Sequence, residues 1–259
     1  MKKEVLKTIQ GLLGKSIDAK NDDTFSELKP SDLFCEGWLT SILLEQWFNS
    51  KIELSFLKKR DEKTKWAREV LLRSPFEKFG VGTTNSDAVV GHFGFREETK
   101  RGIELDSNAK QFVVLEAKTT SDLKPGTTHW EKFDQATRNV ASMAREIQKR
   151  GLNVEDDFDV VDFIVISADK KKSKHDTLLC KDKMKEKTEE MIEEISKGKN
   201  KRSEQIKDLE DWQENYFEPL VEVINPRCVT WEEIIEEVKR KNSDFAKWFG
   251  EFYRLCIGD

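Results

Sequence analysis

The chain has 259 residues, which is enough for one large hydrophobic core or for a core with an added helical part. Charged and hydrophobic residues each make up 37% of it, and no run of ~18 apolar residues occurs, so we expect no membrane-spanning helix. The formal net charge of −5 excludes a uniformly basic protein but leaves room for a local basic face that binds nucleic acid.

A strong helix is predicted from Ser31, as its N-cap, to about Asn49. Its apolar residues leave only a narrow polar stripe, so we expect most of the helix to be buried. Glu36 shares the apolar face, and a carboxylate there needs a partner, either a metal ion or a Lys or Arg side chain. A second helix is predicted over Lys63–Arg73, ending before Ser74-Pro75.

The residue pattern then becomes typical of β-strands. Asp87–Phe95 is rich in Val, Phe and Gly and is predicted to be a strand. The polar residues 96–110 indicate a turn or a short hairpin arm. Gln111–Lys118 is a second and more apolar strand, which predicts a buried position in the sheet.

A long helix is expected after this strand. Thr128–Glu131 fits a capping box, which predicts a helix that continues to Arg150 and ends at Gly151. Phe158–Ala168 is apolar throughout and predicts another buried strand.

The last third of the chain is predicted to be mostly helical. Residues 169–217 are dominated by Lys and Glu and indicate two charged helices, with a protruding hairpin as one arrangement. Leu220–Ile224 is predicted to be a short strand. Thr230–Glu233 is a second capping box that opens a helix to about Lys241, and Ser243 is expected to cap the last helix.

This order of elements predicts an α/β protein with a small mixed central sheet flanked by helices and a helical C-terminal part. We expect an α/β core over residues 1–168. Residues 169–259 are expected to form a charged helical extension and C-terminal helices that pack on the same domain.

The triplet Glu116-Ala117-Lys118 is the strongest candidate for chemistry. Acid-x-Lys triplets are common in so charged a chain, but this one alone follows an apolar strand. Residues two apart in a strand point to the same face, so Glu116 and Lys118 are expected side by side. Burying two charges there is costly unless something pairs with them.

Asp87, at the start of the preceding predicted strand, can converge with Glu116 if the two strands are neighbours. Two carboxylates and the Ala117 carbonyl would supply hard oxygen ligands, which suit Mg²⁺ or Mn²⁺. Lys118 would then lie beside a metal-bound water and orient or deprotonate it, or stabilise charge on a phosphate.

The long helix adds a polar row that includes Gln135 and Arg138. It is either a solvated face, or a face on which Gln135 and Arg138 reach a phosphate or the attacking water.

An acid on a first helix, Ser-Asp at the next strand, Glu-x-Lys ending another, and then a helix with an early glutamine resemble the PD-(D/E)xK nuclease superfamily. The resemblance covers roughly residues 31–168. Asp87, Glu116 and Lys118 match the D, E and K of the motif, and Glu36 matches the helix acid of many members. Ser86 stands where the motif has proline.

Gln135 resembles the helix glutamine of one branch of that superfamily, in which a tyrosine takes the place of Asn139. The resemblance implies a restriction-endonuclease-like fold and Mg²⁺-dependent (or Mn²⁺-dependent) cleavage of DNA. Asp87, Glu116, Lys118 and Gln135 would be catalytic. Glu36, Asp87, Glu116 and Ala117 would hold the metal.

DNA is the partner that the resemblance implies, no membrane contact is expected, and a homodimer stays open. The four cysteines lack zinc-type spacing, which predicts reduced thiols in a cytoplasmic protein. Two other functions stay open. One is a non-catalytic module on the same fold that binds nucleic acid or protein through residues 169–217. The other is an unrelated α/β protein in which Glu116 and Lys118 form a salt bridge at the end of a strand.

Overall fold

The computed structural model describes residues 35–50, 52–57, 61–124, 126, 130, 133–197 and 203–258. It is an α/β structure built on a mixed five-stranded sheet, with helices on both faces. The sheet order is β1 (Lys65–Leu72), β2 (Thr84–Gly91), β5 (Gln111–Ala117), β6 (Val160–Ser167) and β7 (Arg227–Thr230). β2 is antiparallel to both of its neighbours, β1 and β5. β6 is parallel to both of its neighbours, β5 and β7.

A small hairpin of β3 (Phe93–Phe95) and β4 (Ile103–Leu105) follows β2, as the polar residues 96–110 indicated. The helices, in chain order, are α1 (Glu36–Asn49), α2 (Gln135–Arg150), α3 (Val154–Asp157), α4 (Lys172–Asp176), α5 (Lys181–Lys197), α6 (Ser203–Trp212), α7 (Glu218–Val223), α8 (Trp231–Lys239) and α9 (Ser243–Ile257). A π-helical segment, Gln213–Phe217, joins α6 to α7.

Two hydrophobic cores lie on opposite faces of the sheet. One face packs against α2, α5 and α7, with Phe112, Val114 and Phe163 at its centre. The other face packs against α1, α8 and α9. Because its helices cover both faces, β5 is buried at every position, as the apolar run of its sequence predicted.

Two predicted elements are wrong, and the two predicted charged helices are present in a different arrangement from the protruding hairpin. Lys63–Arg73 was predicted to be a helix, but Lys65–Leu72 is the edge strand β1. Leu220–Ile224 was predicted to be a strand, but it lies in and just after α7, which has Pro219 in its first turn. The charged helices do not protrude, since α5 and α6 bury apolar side chains such as Met184, Met191 and Leu209 in the core.

Several boundaries also differ from those predicted. The first helix begins at Glu36 within the described residues, and the predicted start at Ser31 lies outside them. The long helix begins at Gln135, where the Asp134 side chain accepts a hydrogen bond from the Thr137 N–H. Most of the predicted capping box, Thr128–Glu131, lies outside the described residues. The capping box at Thr230 is confirmed, and so is the end of α2 at Gly151.

The last helix is capped by Asn242, one residue before the predicted Ser243. The strand β7 comes from residues beyond 168 and pairs with β6, so the sheet itself draws on the C-terminal part of the chain. Within the described ranges, no helix is both long and apolar enough to cross a membrane.

Candidate active site

The predicted site residues converge around the ammonium group of Lys118. Its Nζ lies 2.5 Å from Glu116 Oε1, 3.8 Å from Asp87 Oδ2 and 4.0 Å from Glu36 Oε1. The Lys118 side chain is 8% exposed and that of Glu116 is 1% exposed. One cation among three carboxylates in a largely buried place is a concentration of charge that folding alone does not require.

Alternation along β5 places Glu116 and Lys118 on the same side of the sheet, the side that packs against α2. Glu36 comes from the opposite layer, in the first turn of α1. Its Oε2 accepts hydrogen bonds from the N–H and the hydroxyl of Thr119, at 3.1 Å and 3.2 Å. Glu36 therefore reaches the site over the end of the sheet.

Asp87 enters the site where β2 and β5 separate. The two strands are paired only as far as Ala88 and Leu115. Beyond that pair, Asp87 Oδ2 accepts a hydrogen bond from the Ala117 N–H at 2.7 Å. The Asp87 carboxylate thus accepts a hydrogen bond that a main-chain carbonyl of β2 would accept in a regular sheet. The charged side chains lie in the gap between the two strands.

In a regular strand, side chains alternate between the two faces of the sheet. This alternation is interrupted in β1 and in β2, at positions that lie side by side in the sheet. Ala67 and Val70 both face the α2 side, although they are three residues apart. In β2, Val89 and Ser86 likewise both face that side. The register of β1 against β2 is the same on both sides of the interruption, and Glu69 stands opposite Asp87 within it. Glu69 has a positive φ of 52°, a strained conformation for a residue other than glycine.

Two side chains of α2 hold the Glu116 carboxylate. The Gln135 amide nitrogen donates a short hydrogen bond to Glu116 Oε1, and its oxygen accepts from the Lys124 N–H at 3.2 Å. The Asn139 amide nitrogen donates to Glu116 Oε2 at 3.2 Å. Its oxygen accepts from the Ser86 hydroxyl at 2.6 Å. Both oxygens of Glu116 are therefore fixed by uncharged donors as well as by Lys118.

Burial, and then the neighbouring Glu116 carboxylate, raise the pKa of Asp87 to about 8. Burial also raises the pKa of Glu116, although Lys118 and Asn139 oppose the shift. The two carboxyl groups lie close enough for each to influence the pKa of the other. Two carboxylates this close cannot both ionise freely, so the pair retains a proton near neutral pH.

The Lys118 ammonium is stabilised in its charged form. Burial alone would lower its pKa, but the carboxylates of Glu116, Asp87 and Glu36 outweigh burial and raise the pKa above its usual value. Lys118 is therefore protonated throughout the physiological range. Its main chain is also fixed, since its N–H donates to the Ile166 carbonyl at 2.7 Å and its carbonyl accepts from Trp231 Nε1 at 3.2 Å.

The oxygen atoms that could bind a divalent cation belong to Asp87, Glu116, Glu36 and the Ala117 carbonyl. In the described part of the chain, no group of three or more His, Cys, Asp or Glu side chains is arranged to hold a metal ion. The neighbouring carboxyl groups of Asp87 and Glu116 nevertheless fit Mg²⁺ or Mn²⁺, because such ions take one or two carboxylates and keep several waters. Glu36 lies at ion-pair distance from Lys118, which matches the salt-bridge alternative for that residue. A metal role for Glu36 and for the Ala117 carbonyl stays a prediction.

No protein-family model, curated protein or solved structure matches this chain. The site must be understood from its own residues and geometry.

Three residues that contact the predicted set were missed by sequence reasoning, namely Ser86, Thr119 and Asn139. In the sequence, Asn139 was noted only as a member of a polar helical row and as the position at which one branch of the superfamily has a tyrosine. Its position four residues after Gln135 puts both on one face of α2, which is the signal that could have identified it. Arg138, on the same helix, is half-buried near Glu116, and burial lowers its pKa. Its Nε is buried and has no hydrogen-bond partner among the described residues.

Proposed function

We propose that this protein is a metal-dependent nuclease that hydrolyses DNA phosphodiester bonds, built on a restriction-endonuclease-like core. The observation that supports this most strongly is the cluster of Asp87, Glu116 and Lys118 where β2 and β5 separate. A carboxylate pair that retains a proton is a place where a divalent cation can replace that proton.

Asp87 and Glu116 would hold Mg²⁺ or Mn²⁺, with the Ala117 carbonyl and Glu36 as further predicted ligands. When bound, such an ion supplies a water of lowered pKa and a counter-charge for the phosphate. Gln135 and Asn139 keep the Glu116 carboxylate in one orientation, so its lone pairs are directed before any ligand arrives.

Lys118 would act as a cation and not as a base. Because the surrounding carboxylates raise its pKa, it keeps its proton near neutral pH in the metal-free site. Its ammonium can instead orient the attacking water and stabilise the negative charge that develops on the phosphate. Of the two roles that the sequence left open for Lys118, the electrostatic role is the one that its surroundings favour.

Arg138 would contact the phosphate group. Its guanidinium is half-buried beside Glu116, and its buried Nε lacks a partner within the described ranges. A guanidinium offers donors in a fixed fork that matches phosphate oxygens. Gln135 and Arg138 would therefore have different functions, the first holding Glu116 and the second binding the substrate.

A cleavage assay tests the proposal. The purified protein is incubated with supercoiled, linear duplex and single-stranded DNA in Mg²⁺, in Mn²⁺ and in EDTA. We expect divalent-metal-dependent cleavage that Lys118→Ala and Asp87→Asn each lower by ~10²-fold or more. Lys239→Ala is the matched control, since Lys239 is an exposed lysine of α8 paired with Glu236. Circular dichroism verifies that each variant is folded.

Full cleavage by a folded Lys118→Ala variant would refute this mechanism. Salt-sensitive DNA binding without cleavage under any divalent metal would instead support the non-catalytic module.

A further inference from the structure

A groove lies on the β1 edge of the sheet, one strand away from Asp87 on β2. It lies between α1, β1 and the β3–β4 hairpin and has a volume of about 590 Å³. One of its walls includes Glu69, which stands opposite Asp87 in the register of β1 and β2. Trp38, two residues after Glu36, lines the same groove. The groove therefore extends to the β1 position next to Asp87 in the sheet.

The groove is basic, in contrast to the protein as a whole. The described residues that line it include four cations, Lys65, Arg68, Lys100 and Arg101, against the two carboxylates Glu45 and Glu69. The chain itself carries a net charge of −5. A local excess of positive charge on an acidic protein attracts polyanions to one place.

The cations of the groove differ in their contacts and exposure. The Arg68 guanidinium stacks over the Trp38 ring, 4.6 Å from its centroid, and is thereby held in the wall. Arg101 Nη1 lies 3.7 Å from Glu69 Oε2, at the end of the groove nearest Asp87. Lys100 is exposed beside it. Successive phosphates of a chain could contact such a series of cations.

Aromatic side chains line the same groove as these cations. Phe95, at the end of β3, is 60% exposed, the most exposed large hydrophobic side chain in the described part of the protein. The buried Phe93 packs edge-on against it, with ring centroids 6.0 Å apart, and supports it from below. Trp66 is half-buried on β1 in the same groove. Exposed rings with cations between them are the usual means of binding unpaired bases.

We infer that this groove binds a single-stranded stretch of the DNA substrate and guides it to the candidate active site. Bases stack on Phe95 and Trp66, and phosphates contact Lys100 and Arg101. Duplex DNA does not fit this chemistry, because the faces of its bases are covered by their neighbours. The inference rests on the proposed function for the identity of the substrate, and it adds the form of the DNA that the protein prefers.

Fluorescence anisotropy in EDTA tests the groove without requiring cleavage. The probes are a labelled oligothymidylate of about 12 nucleotides, a duplex of equal length and an oligouridylate of equal length. We expect tighter binding of the single-stranded DNA than of the duplex, because only the unpaired bases can stack on Phe95 and Trp66. Phe95→Ala should raise its Kd roughly tenfold or more, because one stacking platform is lost. Lys100→Glu should also raise Kd and make binding less dependent on salt.

Two matched controls separate groove effects from general surface effects. Leu255→Ala removes another half-exposed apolar side chain, on α9, and Lys247→Glu reverses an exposed charge on the same helix. Both should leave Kd within about twofold of the unaltered protein. Phe95 and Lys100 are exposed, so their variants should fold, which thermal melts verify.

The inference is overturned if neither groove variant differs from its control, or if the unaltered protein binds duplex as tightly as single-stranded DNA. Tighter binding of the oligouridylate would overturn the assignment to DNA. If the protein cleaves DNA but Phe95→Ala and Lys100→Glu do not change Kd, the nuclease proposal stands and the binding role of the groove is refuted. If the groove variants weaken binding but the protein does not cleave DNA in Mg²⁺ or Mn²⁺, the groove stands as a DNA-binding site and the nuclease proposal is refuted.

Discussion

Asn139 joins Glu116 to the neighbouring strand, since its amide nitrogen donates to Glu116 Oε2 at 3.2 Å while its oxygen accepts from the Ser86 hydroxyl at 2.6 Å. One helix side chain thus fixes both the acid at the end of β5 and the residue before Asp87. The amide suits this position because it donates on one side and accepts on the other.

Asn139→Ala should therefore destabilise the protein by ~1–3 kcal/mol, because a buried carboxylate loses a donor and a buried hydroxyl loses its acceptor. Urea denaturation measures the loss. The matched control is Asn215→Ala, which removes an exposed asparagine bonded to Asp211 and should cost under about 0.5 kcal/mol. Equal effects of the two substitutions would contradict the bridging role of Asn139.

The raised pKa of Asp87 predicts a pH-dependent stability. An unfolded Asp loses its proton near ~3.9, whereas folded Asp87 keeps it to about 8. The folded protein therefore holds an extra proton between these values, and the contribution of Asp87 to stability falls as pH rises through that window. The slope has an upper limit of about 1.4 kcal/mol per pH unit.

Urea denaturation of the unaltered protein and of Asp87→Asn, in EDTA from about pH 5 to about pH 8, measures this slope. The free energy of unfolding of the unaltered protein should decline relative to that of the variant as pH rises. Added Mn²⁺ should stabilise the unaltered protein more at high pH, because the metal competes with the proton. A difference that grows with pH in EDTA would show that Asp87 is ionised in the folded protein.

Glu69 predicts an unusual order of stability among its variants. At an ordinary strand position, glycine is less stable than alanine by ~0.5–1 kcal/mol. At the positive φ of Glu69 the order should reverse, because a left-handed conformation costs a side-chain-bearing residue ~1–2 kcal/mol. We expect Glu69→Gly to be more stable than Glu69→Ala by about 1 kcal/mol. Glu104, an exposed residue of β4, should show the ordinary order under the same thermal denaturation.

Gly91 lies at the end of β2, where we expect the addition of a single methyl group to lower the free energy of unfolding strongly. A Cβ there would lie 2.1 Å from the Gln111 carbonyl oxygen, and the φ of 152° is also unfavourable for other residues. Gly91→Ala should cost more than ~3 kcal/mol, measured by urea denaturation. Gly94 has no atom within 4 Å of the corresponding position, so Gly94→Ala should cost far less. Similar losses would mean that β2 and β5 are not in close contact at this point.

The sequence predicted the strand β5 well, because an apolar run that ends in charged residues is a local signal. It failed at β1 for a physical reason. The interruption at Glu69 puts Ala67 and Val70 on one face, three residues apart, and that spacing imitates a helix. Pairing with β2 overrides the helical propensity of the segment.

The convergence of the site could not be derived from local pattern. That Asp87 meets Ala117 depends on the pairing of β2 with β5 and on its end at Ala88. The Glu69 conformation and the groove beside it arise from contacts among distant parts of the chain. Hydrophobic periodicity carries no information about either.

The hydrogen bond from Trp231 to the Lys118 carbonyl spans 113 residues of sequence. During synthesis, the N-terminal part of the sheet can emerge and pair long before that indole is made. The lysine at the centre of the charged cluster then lacks its last support until α8 leaves the ribosome. Contacts between such distant residues are also the slow ones to form. A newly made chain would therefore complete the site at the same stage as β7 and the core that α8 covers.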